Sequence, residues 1–180
     1  MPYGRHDFGL VSRLEAQAFG VPGQRTFRLF AANTSQAAAL WMEKEQLASL
    51  GRAIEGQLAR LRALRSLREV NAPDAATAYT GDPAVDFRIG QLALGYDDRE
   101  GTFLLLAYSA EDEEQDQPTF SCQATAGQFR ELAEAIARVV SAGRPLCPLC
   151  HLPIDPAGHI CARSNGRLKQ PIPPLQTDEE

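Results

Sequence analysis

Thr26-Phe27-Arg28-Leu29-Phe30-Ala31 and Thr102-Phe103-Leu104-Leu105-Leu106-Ala107 are two versions of one phrase, and the fold follows from reading them so. Two further blocks flank them in the same order. Arg13-Leu14-Glu15-Ala16-Gln17-Ala18-Phe19-Gly20 returns as Arg88-Ile89-Gly90-Gln91-Leu92-Ala93-Leu94-Gly95, and the helical phrase Gln46-Leu47, Leu50, Ile54 returns as Gln128-Phe129, Leu132, Ile136. The offsets are 75, 76 and 82, with the acidic loop Glu111 to Gln117 accounting for most of the late increase. Three ordered echoes predict an internal duplication.

Within the first copy, Phe8 to Phe19 reads as a strand. Gly20-Val21-Pro22-Gly23 supplies turn chemistry before the β-favouring run from Thr26, so a hairpin is expected. Alternation puts Phe27 and Leu29 on one face and Arg28 and Phe30 on the other. Ala37 to Met42 is a third strand. Glu43-Lys44-Glu45-Gln46 opens a helix whose Leu47, Leu50, Ile54, Leu58 and Leu61 step by three or four. Asn71-Ala72-Pro73-Asp74 is the expected stop, and Ala75 to Pro83 the expected linker.

The second copy reads as strand Phe87 to Tyr96, a turn over Asp97 to Gly101, strand Thr102 to Ser109 and strand Phe120 to Gln123. Thr125-Ala126-Gly127-Gln128 fits a capping box, followed by the stripe Phe129, Leu132, Ile136 and Val140. Neither apolar stripe can be covered except against a sheet or the other helix. The expectation is therefore an α+β fold made of two duplicated β-β-β-α units with an antiparallel sheet, plus a small C-terminal zinc knuckle. The boundaries are a body over 1–142 (unit one 8–70, unit two 85–142), a knuckle over 143–167 and a disordered tail over 168–180.

The chain has 180 residues, and its 44% hydrophobic content suffices for a continuous core. A net charge of -5 and a pI near 5.3 argue against a duplex nucleic-acid binder, whose affinity rests on Lys and Arg neutralising phosphates. No apolar run reaches the roughly 20 residues that a spanning helix needs. The start Met1-Pro2-Tyr3-Gly4-Arg5-His6 has no signal-peptide core behind it, so a cytoplasmic protein without a membrane partner is expected.

Of four cysteines, Cys122 stands alone in a strand-like run and three crowd between Cys147 and Cys161. Cys147-Pro148-Leu149-Cys150 presents two sulfurs across a tight turn, and His159-Ile160-Cys161 presents two more donors after a turn-forming loop over 153–158. Three thiolates and one imidazole predict tetrahedral Zn2+ at Cys147, Cys150, His159 and Cys161. His151 competes as fourth ligand, although a residue directly after Cys150 is less well placed to reach the same ion. Four protein donors leave no open position, so the zinc is expected to be structural. The competing reading is a reduced, metal-free tail.

The copies differ in one respect. Arg25 and Glu43, Lys44, Glu45 and Gln46 make a polar cluster in the first, where the second is mostly neutral. They are the candidate ligand-binding residues, although charges at a helix start also serve as caps. Trp41 and Cys122 read as core residues. No catalytic residues are assigned: there is no G-x-S-x-G, no Gly-rich phosphate loop and no Ser-His-Asp order.

The strings Pro22-Gly23-Gln24-Arg25-Thr26-Phe27, Glu43-Lys44-Glu45-Gln46, Phe87-Arg88-Ile89-Gly90 and Ala142 to Cys150, continued by Asp155-Pro156-Ala157-Gly158-His159-Ile160-Cys161, resemble an uncharacterised family of bacterial proteins. Its members have about 190 residues, a C-terminal tail of the form CPLC...DPxGHxC, and are seen mostly in actinobacteria and Chloroflexi. They usually carry Gly where this chain has His151, which supports His159 as the ligand, and Pro where it has Ala162. The resemblance implies no activity. It implies only a neighbourhood, since its members tend to be encoded near a histidine-phosphatase-like and a kinase-like protein. The functional expectation is a non-enzymatic, zinc-stabilised binding or adaptor protein with a protein or small-molecule partner. The alternative is an enzyme or enzyme subunit acting on a phosphorylated or nucleotide-like small molecule, using Arg25, Lys44 and Glu45.

Overall fold

A computed structural model describes residues 3–21, 24–112, 116–142, 147–150, 154, 159–161 and 163. Seven strands and two α-helices follow in the order β1 (His6–Leu10), β2 (Arg13–Phe19), β3 (Thr26–Ala32), β4 (Ala37–Met42), α1 (Lys44–Ala63), β5 (Val85–Asp97), β6 (Thr102–Ser109), β7 (Phe120–Ala124) and α2 (Ala126–Ser141). The fold is α+β, with one mixed sheet in the order β1-β7-β6-β5-β4-β3-β2. Among the described residues, no helix is long and apolar enough to cross a membrane.

The sheet is not wholly antiparallel, as the sequence led us to expect. Strands β2-β3-β4 and β5-β6-β7 are antiparallel meanders, but β4 pairs with β5 in parallel and β1 with β7 in parallel. The cause is the crossover: α1 carries the chain back along β4, so β5 must start in the same direction. The segment Phe8–Phe19 is likewise not one strand. It changes partners at its middle, where Val11 N–H donates to Gln123 (2.9 Å) and Ser12 N–H to Ala32 (2.9 Å). The first and last strands of the sheet order are thus consecutive in the chain, and the pairing closes into a circuit through Val11 and Ser12. Strand β5 does the same without a break, pairing over Val85–Arg88 with β4 and beyond Ile89 with β6, across a bulge between Ile89 and Gln91.

Period-2 alternation holds in β3 and β4. Phe27, Leu29, Leu40 and Met42 enter the main core, while Phe30, Ala32 and Ala37 form a small second cluster with Ala78 on the other face. The helix stripes fit as well. Leu47, Leu50, Ile54, Leu58 and Leu61 of α1 are buried, as are Phe129, Leu132 and Ile136 of α2. The helices pack on one another across Gly51, where an added Cβ would lie 2.9 Å from Ile136 Cγ2. An aromatic series, Tyr96–Phe103–Phe129, joins β5, β6 and α2, with centroids 5.0 and 4.8 Å apart.

Helix α1 ends well before the expected stop at Asn71–Asp74. Ser66 N–H donates to Leu61 C=O (2.9 Å) and Arg65 N–H to Arg62 C=O (3.0 Å), with Arg65 at φ 53. That pair of bonds is a Schellman cap, usually marked by glycine at the left-handed position. The chain after it is anchored rather than loose. Arg68 N–H donates to the Tyr96 hydroxyl (3.0 Å) and the Arg68 guanidinium to Arg99 C=O (2.7 Å). The expected linker contains a 3-10 turn, Ala75–Thr77, capped by Asp74, and seats Ala78 against the sheet.

Candidate metal centre

The four donors expected from spacing come together. One ligand atom from each of Cys147, Cys150, His159 and Cys161 lies within 4.8 Å of all the others. Cys147 Sγ is 3.7 Å from Cys161 Sγ, and Cys150 Sγ is 3.3 Å from His159 Nε2. None of the cysteines is in a disulfide, and the 3.7 Å between Cys147 and Cys161 is far beyond an S–S bond of about 2.05 Å. A tetrahedral ion with metal–sulfur bonds of about 2.3 Å and metal–nitrogen bonds of about 2.0 Å would set donor separations of roughly 3.5 to 3.8 Å. These two pairs stand near those edges, so these residues could hold a metal.

The local turn explains why. Residues 148–150 fold back, so that the Cys150 and Leu149 N–H groups point at Cys147 Sγ. Burial raises the Cys147 thiol, but those two N–H groups and the neighbouring Cys150 and Cys161 thiols outweigh it and hold the group down at about 7. Such a thiol gives up its proton readily to a cation. Cys147, Cys161 and Ile154 form a core of their own, with Cys150 packed against it. Arg163 donates to Leu149 C=O (3.4 Å), while Leu149 and Ile160 remain exposed. His159 Nδ1 is buried and has no hydrogen-bond partner among the described residues. His151, the loop over 155–158 and the tail 168–180 lie outside the described residues.

Of the polar residues Arg25, Glu43, Lys44, Glu45 and Gln46, two act at the start of α1. Glu43 precedes α1, its N–H accepted by Gln46 Oε1 (2.9 Å), and its carboxylate pairs with Arg88. Gln46 also reaches Ile89 C=O at 3.4 Å. Glu45 and Gln46 line a groove of about 460 Å³ between α1 and β5, while Arg25, Glu43 and Lys44 are not among its lining residues. No spacing rule signalled that groove.

A family model described as "Protein of unknown function (DUF3090)" matches residues 6–161. The chain belongs to that family. The DUF3090 match runs from the first residue of β1 to Cys161, so the strands, the helices and the four candidate donors are parts of one family domain. No curated protein and no solved structure matches the chain.

Two remaining expectations separate within the DUF3090 domain. Cys122 is fully buried, and burial first, with Asp7 second, pushes its thiol up, leaving it a neutral core group. Trp41 is not a core residue. It points to the other face of β4 from Leu40 and Met42 and donates its indole N–H to Asp86 (2.9 Å). There it joins Phe19 and Phe30 around the Arg28 guanidinium, whose carbon lies 4.7 to 5.5 Å from the three rings and whose nitrogens donate to Gln17.

Proposed function

We propose that this DUF3090 protein is a non-enzymatic, zinc-stabilised binding or adaptor protein of the bacterial cytoplasm, built from two duplicated units and a knuckle. The observation that carries the metal half is the donor set, three thiols and one imidazole with separations near tetrahedral edges. Thiolate and imidazole donors in that ratio favour zinc, and four protein ligands fill its coordination, so the ion serves structure rather than chemistry.

The duplication rests on a repeated device. Gln46 accepts from the N–H of the residue before α1 and donates to Ile89 C=O, and Gln128 accepts from Thr125 N–H and donates to Val11 C=O. Both strand carbonyls belong to points where a strand exchanges one partner for another. Strand registers refine the alignment: Phe19 stands opposite Thr26 and Asp97 opposite Thr102, which equates residues 19 and 97 at an offset of 78 instead of 75. On this reading the body spans 1–142, with units at 8–70 and 85–142. The knuckle spans 143–167, and residues 168–180 follow it.

The ligand assignment is tested by Cys150→Ser. Metal content by elemental analysis should fall from one zinc per chain to well below one, and limited proteolysis should cut within 143–167. The main thermal transition should stay within about 2 °C, because Ile154 is the one large aliphatic side chain buried in the knuckle cluster among the described residues. In structural sites the metal supplies about 10 kcal/mol or more of folding free energy. A variant that keeps a full equivalent of zinc refutes the ligand set. Unfolding of the whole chain on metal loss refutes the boundary at 142.

A further inference from the structure

We infer that the groove between α1 and the second half of β5 is a binding site for a small amphiphile with an apolar body and a basic amine head. The groove holds about 460 Å³, a volume in the range of small-molecule sites. Leu50 and Ala53 of α1 and Leu92 and Leu94 of β5 supply apolar walls, and Glu45 and Gln91 the polar positions. Among the described residues, neither the Glu45 carboxylate nor the Gln91 side-chain amide has a hydrogen-bond or ion-pair partner. An anionic head would meet Glu45 unfavourably, whereas an ammonium group would gain a charge-assisted bond.

The other half of the molecule sharpens this assignment. Helix α2 packs directly along β2, the arrangement that α1 and β5 would mirror, and does so more extensively than α1 along β5. Aligning the helices by Gln46 and Gln128 sets Gly127 where α1 has Glu45. Aligning the strands by register sets Leu14 and Ala16 opposite Leu92 and Leu94. Glu15 of β2 stands opposite Phe30 on the face turned away from α2, where it is bound to Arg13 (2.7 Å). In the groove, a carboxylate with no ion-pair partner among the described residues lies beside the partly buried Leu92 and Leu94. A favourable helix-terminal charge would account for Glu45 alone, but not for the uncovered leucines of β5 beneath it.

The inference rests on reading the chain as a binding protein and is independent of the metal. The full chain is titrated with 2-naphthylethylamine and, separately, with 3-(2-naphthyl)propionate at low ionic strength. Binding is followed by naphthalene fluorescence polarisation and by leucine methyl shifts, and zinc content is measured on the same samples. The amine should bind at least tenfold tighter than the carboxylate and shift the Leu92 and Leu94 methyls. Glu45→Gln should bring the two affinities within about twofold. Ala53→Trp, which adds bulk at an exposed position inside the groove, should abolish binding of both at unchanged zinc content. Failure of the amine to bind, equal affinities in the unsubstituted protein, or shifts confined to other leucines would overturn the assignment, and the methyl map decides even if Ala53→Trp does not fold. Loss of binding with full zinc would sink the groove and leave the metal-based reading standing; retained amine binding without zinc would do the opposite.

Discussion

Replacing Gln128 by Ala tests whether the two strand-exchange points are equivalent in design and unequal in energy. The Gln128 side chain donates to Val11 C=O (2.9 Å) and accepts from Thr125 N–H (2.9 Å). Val11 is 0% exposed and Thr125 1%. Truncation strands one buried acceptor and one buried donor. At about 1–3 kcal/mol for each group left unsatisfied, the loss should be roughly 2–6 kcal/mol. Gln46→Ala makes the same deletion in the other half. There the contact with Ile89 C=O is long at 3.4 Å, and the Glu43 N–H belongs to an exposed residue that water can serve, so the expected loss is about 0.5–1.5 kcal/mol. Equilibrium urea unfolding of both variants, with metal present throughout, reads the difference. At an m-value of about 2 kcal/mol/M the midpoints should separate by about 1 M, with unchanged slopes. Equal midpoint shifts would refute the burial argument, and a Gln128→Ala loss below about 1 kcal/mol would mean that neither partner is desolvated.

Two further expectations concern local chemistry. Arg65→Gly should raise stability by about 0.5 kcal/mol in the same urea assay, because glycine avoids the cost of about 1 kcal/mol of a left-handed residue with a Cβ, partly offset by its freer unfolded chain; a loss instead would mean that the φ of 53 is not maintained in solution. The Arg13 side chain first, opposed by burial and helped by Gln17, holds the Glu15 carboxyl below its ordinary value. A depressed folded value stabilises fully above the ordinary carboxyl range and is lost as pH falls through the lowered value. NMR titration should therefore find Glu15 below its ordinary value, and Arg13→Ala should move it up; an unmoved titration would show that the ion pair is not the cause.

The elements read correctly from sequence are those decided by near neighbours. The stripe from Leu47 to Leu61 is a spacing of three and four, the Thr125–Gln128 box spans four residues, and the metal donors lie within fifteen positions of one another. Where the reading failed, a distant partner made the choice. Nothing at Val11-Ser12 announces a change of strand, since neither residue is Gly or Pro; Gln123 and Ala32 claim the two N–H groups from different strands. The helix stop was missed because Arg65 occupies a position that glycine normally marks. Trp41 looked like core by residue type, yet its place between Leu40 and Met42 required the opposite face. The groove was illegible for a similar reason, because it depends on how far α1 sits from β5, a distance that no local pattern encodes.

The exchange of partners also decides what counts as a folding unit. The first half of β5 pairs with β4 although it precedes the second meander, and β1 pairs with β7 although it precedes the first. Each proposed unit therefore lends a strand segment to the other. Without Val85–Arg88, β4 would lose its neighbour on one side, and without α2 the Gly51 surface of α1 would face solvent. The two meanders thus share one main core rather than enclosing one each. The knuckle, whose Cys147, Ile154 and Cys161 form a cluster separate from the main core, is the one described part that has to find its stability elsewhere.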